Sequence, residues 1–121
     1  MIYNEYKIKF YTDSNGYSYV LEYIDVLPNK EKAKILKYIE FLRENKGFLD
    51  EPYSKHIKGK IRELRVDFSK NRHRILYFTF INKNIILLHS FLKKTEKTPL
   101  PEIKKAEENY KNVLNNQKIY E

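Results

Sequence analysis

The stretch Ile61-Arg62-Glu63-Leu64-Arg65-Val66-Asp67-Phe68 alternates apolar and charged side chains with a period of two. That is the signature of a strand whose two faces differ, with Leu64, Val66 and Phe68 on one and Glu63, Arg65 and Asp67 on the other. Ser69-Lys70-Asn71-Arg72 reads as the tip of a hairpin. The run His73 to Ile81 behind it is apolar on both faces. Asn82-Lys83-Asn84 makes another tight turn, and Ile85 to Phe91 is again apolar on both sides, as in a central strand. Three adjacent strands joined by short turns form an antiparallel meander.

Outward from this meander, the rest of the chain reads as helices around one more strand. Residues 7–13 alternate as a half-buried strand, and Asp13 or Ser14 is placed to cap the helix that follows. Val20, Leu21, Ile24 and Leu27 recur at helical spacing until Pro28. A second helix starts near Asn29, with Ile35, Leu36, Ile39 and Leu42 on one face and Gly47 as its stop, so the pair forms a hairpin. Phe48 to Gly59 reads as a loop. Thr98-Pro99 opens a last helix, as cap and proline, with Ile103, Ala106, Tyr110, Val113 and Leu114 as its apolar stripe. Asn115 to Glu121 is polar and is expected to fray. The fold class is α+β: an N-terminal strand and helical hairpin packed on an antiparallel meander, with a C-terminal helix. One domain, 1–121, accounts for the 121 residues.

Charge is distributed unevenly along the sequence. Residues 55–97 hold 12 Lys and Arg against 3 Asp and Glu, a net +9, whereas residues 1–54 hold 8 against 9 and residues 98–121 hold 4 of each. Clustering of this kind points to a polyanion as partner. The chain has no cysteine, which excludes disulfides, thiolate catalysis and Cys-ligated metal centres, and fits a reducing cytoplasm. The start, Met1 to Lys7, carries no apolar signal segment, and Ile85-Ile86-Leu87-Leu88 is too short to span a bilayer, so no membrane partner is expected. Glycines at 16, 47 and 59 build no phosphate-binding loop, and His56, His73 and His89 lack the spacing of a metal site, so neither cofactor nor metal is expected.

The meander instead carries cations. Arg65 projects from the charged face of its strand, Arg74 opens the next strand, and Lys93 and Lys94 follow the third. Lys55, His56, Lys58 and Lys60 precede the first strand, and Lys70 and Arg72 lie at the hairpin tip, so all six are candidate RNA contacts. Such a group can bind several phosphates and stabilise the extra charge of a pentacoordinate phosphoryl transition state. The fitting reaction is attack by an RNA 2′-hydroxyl on its own phosphate, without a metal. The same residues admit plainer roles: Arg65 paired with Glu63, Arg74 paired with Asp67, the lysines simply solvated, and His89 a satisfied half-buried histidine. His56 is the histidine best placed to titrate, and Tyr77 is the strand tyrosine considered for stacking on a base.

Gly59-Lys60-Ile61-Arg62-Glu63-Leu64-Arg65 with Arg74-Ile75-Leu76-Tyr77 resembles the G-x-x-E-L-R … R-x-x-Y core of RelE/HigB-type toxins. Leu87-Leu88-His89-Ser90-Phe91-Leu92-Lys93-Lys94-Thr95-Glu96-Lys97-Thr98-Pro99, continued by Glu102-Ile103-Lys104-Lys105-Ala106, is similar to the signature of the phage-associated HigB branch. The resemblance covers residues 59–106 most strongly. It implies the RelE-like α+β fold and a toxin of a type II toxin–antitoxin module: a ribosome-dependent mRNA endonuclease working in the cytoplasm. Its implied partners are mRNA, the 70S ribosome and a cognate helix-turn-helix antitoxin (HigA-like), which alone would bring it to operator DNA. Arg65, Arg74, Lys93 and Lys94 are then the catalytic or phosphate-binding cations. Glu51-Pro52 resembles a step in one subgroup where the glutamate is the base. Ile61 and Glu63 stand where better-studied members carry a pair of lysines, and Thr98-Pro99-Leu100 occupies the place of their C-terminal active-site tyrosine. The same fold also serves ParE-like toxins that poison gyrase, and a non-enzymatic RNA-binding domain would share the charge pattern.

Overall fold

The computed structural model describes residues 5–121, so the reading of Met1 to Asn4 lies outside the described residues. The chain runs β1 (Lys7–Phe10), α1 (Tyr19–Asp25), α2 (Asn29–Glu44), β2 (Ser54–Lys58), β3 (Ile61–Phe68), β4 (Asn71–Phe80), β5 (Asn84–Leu92) and α3 (Leu100–Asn115), with a closing 3-10 turn at Gln117–Tyr120. The strands form one sheet in the order β1-β5-β4-β3-β2, antiparallel except where β1 runs parallel to β5. This is the α+β architecture expected from the meander and the flanking helices.

Each face of the sheet carries its own core. On one side, Val20 and Ile24 of α1 and Ile35, Ile39 and Leu42 of α2 pack on Leu64, Val66, Ile75, Tyr77, Ile85 and Leu87. On the other, Ala106 and Val113 of α3 pack with Ile61, Leu76, Phe78, Ile86, Leu88 and Phe91. Helices on both faces explain why Ile75 to Phe78 of β4 and Ile85 to Leu88 of β5 are apolar and buried on both faces. Because α3 packs chiefly on β5 and β4, the Glu63–Arg65–Asp67 face of β3 is left for polar work.

Four local expectations are corrected. Phe48 to Gly59 is not all loop, because Ser54–Lys58 pairs with β3 as an edge strand. The cap of α1 is Ser18, whose Oγ accepts from the Leu21 amide at 3.2 Å, while Asp13 spends its carboxylate on the Asn15 and Tyr17 amides in the preceding turn. Thr98 does not cap α3, whose N-cap is Pro99; its hydroxyl goes to the sheet. The C-terminus does not fray at Tyr120, which is 3% exposed and accepts the Thr12 amide at 3.0 Å on its hydroxyl. Gly47, by contrast, ends α2 as expected. It adopts φ +83°, donates its amide to the Leu42 carbonyl at 2.9 Å, and leaves no room for a Cβ, which would fall 2.3 Å from Thr79 Oγ1.

Candidate functional site

Register places Arg65 of β3 directly opposite Arg74 of β4. Like charges so placed destabilise the pairing, and a carboxylate offsets the repulsion. Glu63, two residues along the same face of β3, is fully buried; its Oε1 accepts from Arg65 Nε at 3.1 Å and stands 3.9 Å from Arg74 Nε. Its other oxygen accepts the hydroxyl of Thr98, which ties the β5–α3 connection to the sheet. A buried carboxylate without such partners would cost several kcal/mol, so the cations and Glu63 hold one another in place.

Arg74 is 5% exposed, and its NH1 donates to Asp67 Oδ1 at 2.7 Å and to the His73 carbonyl at 3.0 Å. Its Nε is a buried polar atom with no hydrogen-bond partner among the described residues. Lys93 leaves the end of β5 beside this group, its amide bonded to the Arg72 carbonyl at 2.8 Å and its side chain buried. Loss of water around the Lys93 ammonium pushes its pKa below the usual lysine range; Glu63 opposes that shift, while Arg74, Arg65 and Arg72 add to it. Lys93 thus gives up its proton more readily than an exposed lysine.

A cleft of about 270 Å³ opens beside the cluster, lined among others by Lys55, His56, Arg65, Lys93, Lys97 and Thr98. Its walls come from β2, β3, the end of β5 and the connection to α3. Glu51 stands at the rim, its side chain 66% exposed and its Oε1 3.8 Å from Arg65 NH1.

The structure therefore brings Arg65, Arg74 and Lys93 together, with Arg72 near enough to act on Lys93. Lys94 is exposed and does not line that cleft. Of the remaining candidates, Lys55 and His56 line the cleft, and the His56 Nε2–H donates to the Gly59 carbonyl at 2.8 Å. Lys58 is paired with Glu107 of α3 at 3.1 Å. Lys60 and Lys70 are exposed at the β2–β3 and β3–β4 turns. Tyr77 is fully buried, its hydroxyl bonded to Ser54 Oγ at 2.8 Å and to the Gly47 carbonyl at 3.2 Å, so it cannot stack on a base. His89 is bonded through Nε2 to Glu102 Oε2 at 3.2 Å. Glu63 and Thr98 complete the site beyond the residues the sequence singles out, and the clue to Glu63 is that it shares a strand face with Arg65. Among the described residues no group of His, Cys, Asp or Glu is arranged to hold a metal ion, and no helix is long and apolar enough to cross a membrane.

The model of a known family, described as phage derived protein Gp49-like (DUF891), matches residues 22–111. The chain belongs to this family. The Gp49-like match takes in most of α1, all of α2, strands β2 to β5 and most of α3, and hence every residue of the cationic cluster. The Gp49-like family is RelE-like and toxin-like, in agreement with the resemblance carried by the sequence. No curated protein is similar enough in sequence to count as a match.

Proposed function

We propose that this Gp49-like chain is the toxin of a type II toxin–antitoxin module, of the HigB type, that cuts mRNA on the ribosome and is silenced by a cognate helix-turn-helix antitoxin. The observation that carries this reading is the gathering of Arg65, Arg74 and Lys93 around the buried Glu63 at the edge of a cleft. Two arginines opposed across a ladder destabilise a sheet, and a phosphate between them is the ligand that turns the repulsion into binding.

In the reaction the RNA 2′-oxygen bonds to the adjacent phosphorus and the bond to the 5′-oxygen breaks, leaving a 2′,3′-cyclic phosphate and a 5′-hydroxyl. Arg65 and Arg74 neutralise the charge that grows on the phosphoryl oxygens. Glu51, exposed at the rim beside Arg65, takes the 2′-hydroxyl proton. Lys93, whose proton is loosened by its surroundings, gives one to the departing 5′-oxygen. Lys55, His56, Lys60, Lys70, Arg72 and Lys94 extend the charged surface along which the strand runs.

Induction in growing bacteria tests the toxin reading. Protein synthesis should stop first, with DNA intact, and co-expression of the antitoxin should restore growth. DNA breaks with continued translation would instead identify a ParE-like gyrase poison. RNA binding without arrest would identify a non-enzymatic RNA-binding domain.

A further inference from the structure

Behind the cationic cluster, on the opposite face of the sheet, three polar side chains from three elements meet. His73 of β4 precedes Arg74 and so points the other way, into the core beneath the helical hairpin, where it is 1% exposed. Its Nε2 lies 2.5 Å from Glu31 Oε2 of α2, and its Nδ1 lies 2.7 Å from the Tyr23 hydroxyl of α1. Asn71 donates to the same Glu31 oxygen at 3.0 Å. The bonds from His73 and Asn71 hold the Glu31 carboxyl below its ordinary range, so it accepts from an Nε2–H. Burial, with Glu31 adding to it, pushes the Tyr23 hydroxyl up to about 12, so Tyr23 keeps its proton and donates to Nδ1. The chain of donors therefore runs from Tyr23 through His73 to Glu31.

The RNA-cleaving reaction uses none of these groups, and burying them costs free energy that apolar side chains would not. What they fix is the first turn of β4. The Arg74 guanidinium donates to the carbonyl of His73 itself at 3.0 Å. From α2, Lys34 donates to the carbonyl of Asp67, the residue whose carboxylate holds Arg74 NH1. Both attachments of Arg74 other than Glu63 are thus tied to the helical hairpin.

We propose that Tyr23, His73 and Glu31 form a positioning relay that clamps the start of β4 to α1 and α2 and so aims the Arg74 guanidinium at the scissile phosphate. The inference rests on the RNA-cleaving reading. A side chain held by a satisfied hydrogen-bond chain loses aim when one link is removed, and a misplacement of about an ångström is enough to slow a reaction on the order of a hundredfold.

Two nearly isosteric variants test it: Tyr23→Phe removes a hydroxyl, and Glu31→Gln removes a charge. In ¹⁵N-labelled protein the buried Arg74 Nε–H reports its own surroundings, and ribosome-dependent cleavage of a defined mRNA reports function. The expected result is cooperative melting, a shifted Arg74 Nε–H resonance, and a fall in kcat of about tenfold or more with KM unchanged. An Arg74 resonance at its wild-type position in the variants overturns the relay, as does a shifted resonance with wild-type kcat. Should Glu31→Gln fail to fold, Tyr23→Phe carries the test, because it deletes one atom from a half-buried ring. A folded wild-type chain that cuts no RNA overturns the parent reading, and the catalytic half of this inference falls with it, while the resonance still reports whether the relay holds Arg74.

Discussion

Arg65 and Arg74 face each other across the β3–β4 ladder, and the fully buried Glu63 answers both, 3.1 Å from one and 3.9 Å from the other. Glu63 is the buried carboxylate of the cluster, while Asp67 on Arg74 and Glu51 near Arg65 are exposed at its rim, where an incoming anion can take their place. Arg65→Ala relieves a like-charge opposition but takes from the buried Glu63 its closest guanidinium, leaving Arg74, Lys93 and Thr98 about it. The melting temperature should therefore fall with the fold retained, while RNA cleavage falls on the order of a hundredfold, the usual scale for one donor to a developing oxyanion. Kinetics of the purified variant beside its melting curve would check both halves.

Arg74→Ala is expected to behave differently. Arg74 is buried, and its loss deprives Glu63 and Asp67 of a partner at once. Stability should drop by about 3 kcal/mol, as when one member of a buried pair is removed, together with loss of cleavage. Arg74→Lys keeps the charge but not the fork, and should recover stability more than rate. Urea unfolding of both variants separates the two effects.

On the proposed reading, Asp67 competes with RNA for Arg74. Its side chain is 61% exposed yet occupies Arg74 NH1 at 2.7 Å, so an RNA phosphate must displace it. Asp67→Asn should tighten binding of a short single-stranded RNA several-fold at low salt. Unchanged or weaker affinity in a fluorescence titration would show that Arg74 does not meet the phosphate from that side.

Lys93 sets an alkaline signature. Its folded pKa is depressed, mainly by burial, so the folded state favours the neutral amine relative to the unfolded chain, whose lysine titrates near 10.5. Stability should rise as pH climbs from the depressed value toward 10.5, and be lower by a constant amount below it. Lys93→Met should abolish that rise, stabilise the fold at neutral pH and remove cleavage. Glu31 works in the opposite direction. Its folded pKa is lowered, so its contribution is complete above about 4.5 and is lost as pH falls through the folded value. Glu31→Gln should flatten that acid limb, as read by melting between pH 2 and 6.

The electrostatic reach of the surface lysines is separable by salt. Lys55 lines the cleft, whereas Lys58 is engaged by Glu107. Lys55→Ala should lower the slope of log affinity against log salt by about 0.7, the value for one phosphate contact on a single strand, and Lys58→Ala by less. Equal effects would mean that RNA draws Lys58 away from α3.

Much of this architecture was legible because burial writes period and length into sequence. The Leu64–Val66 alternation and the doubly apolar β4 and β5 could be read directly, since each face of the sheet meets a different neighbour. Strand β2 was not legible: Ser54-Lys55-His56-Ile57-Lys58 lies at an edge, where exposed positions impose no apolar alternation. Tyr120 hid in a polar tail because one aromatic ring docking on β1's exit makes no periodic pattern. Within the site, Arg65, Arg74 and Lys93 were found through charge and the resemblance. Glu63 is not legible as the centre, because a lone carboxylate in a basic stretch looks like an ordinary surface ion partner until the register with Arg74 and the reach of Thr98 are known.

The most direct test of the central claim is primer extension on a defined mRNA, with purified chain, with and without translating ribosomes. Cuts that appear only with ribosomes and vanish in Arg65→Ala, which should remain folded, are the expected result. An mRNA left intact under both conditions by folded wild-type protein, or one cut equally well by Arg65→Ala, would contradict it.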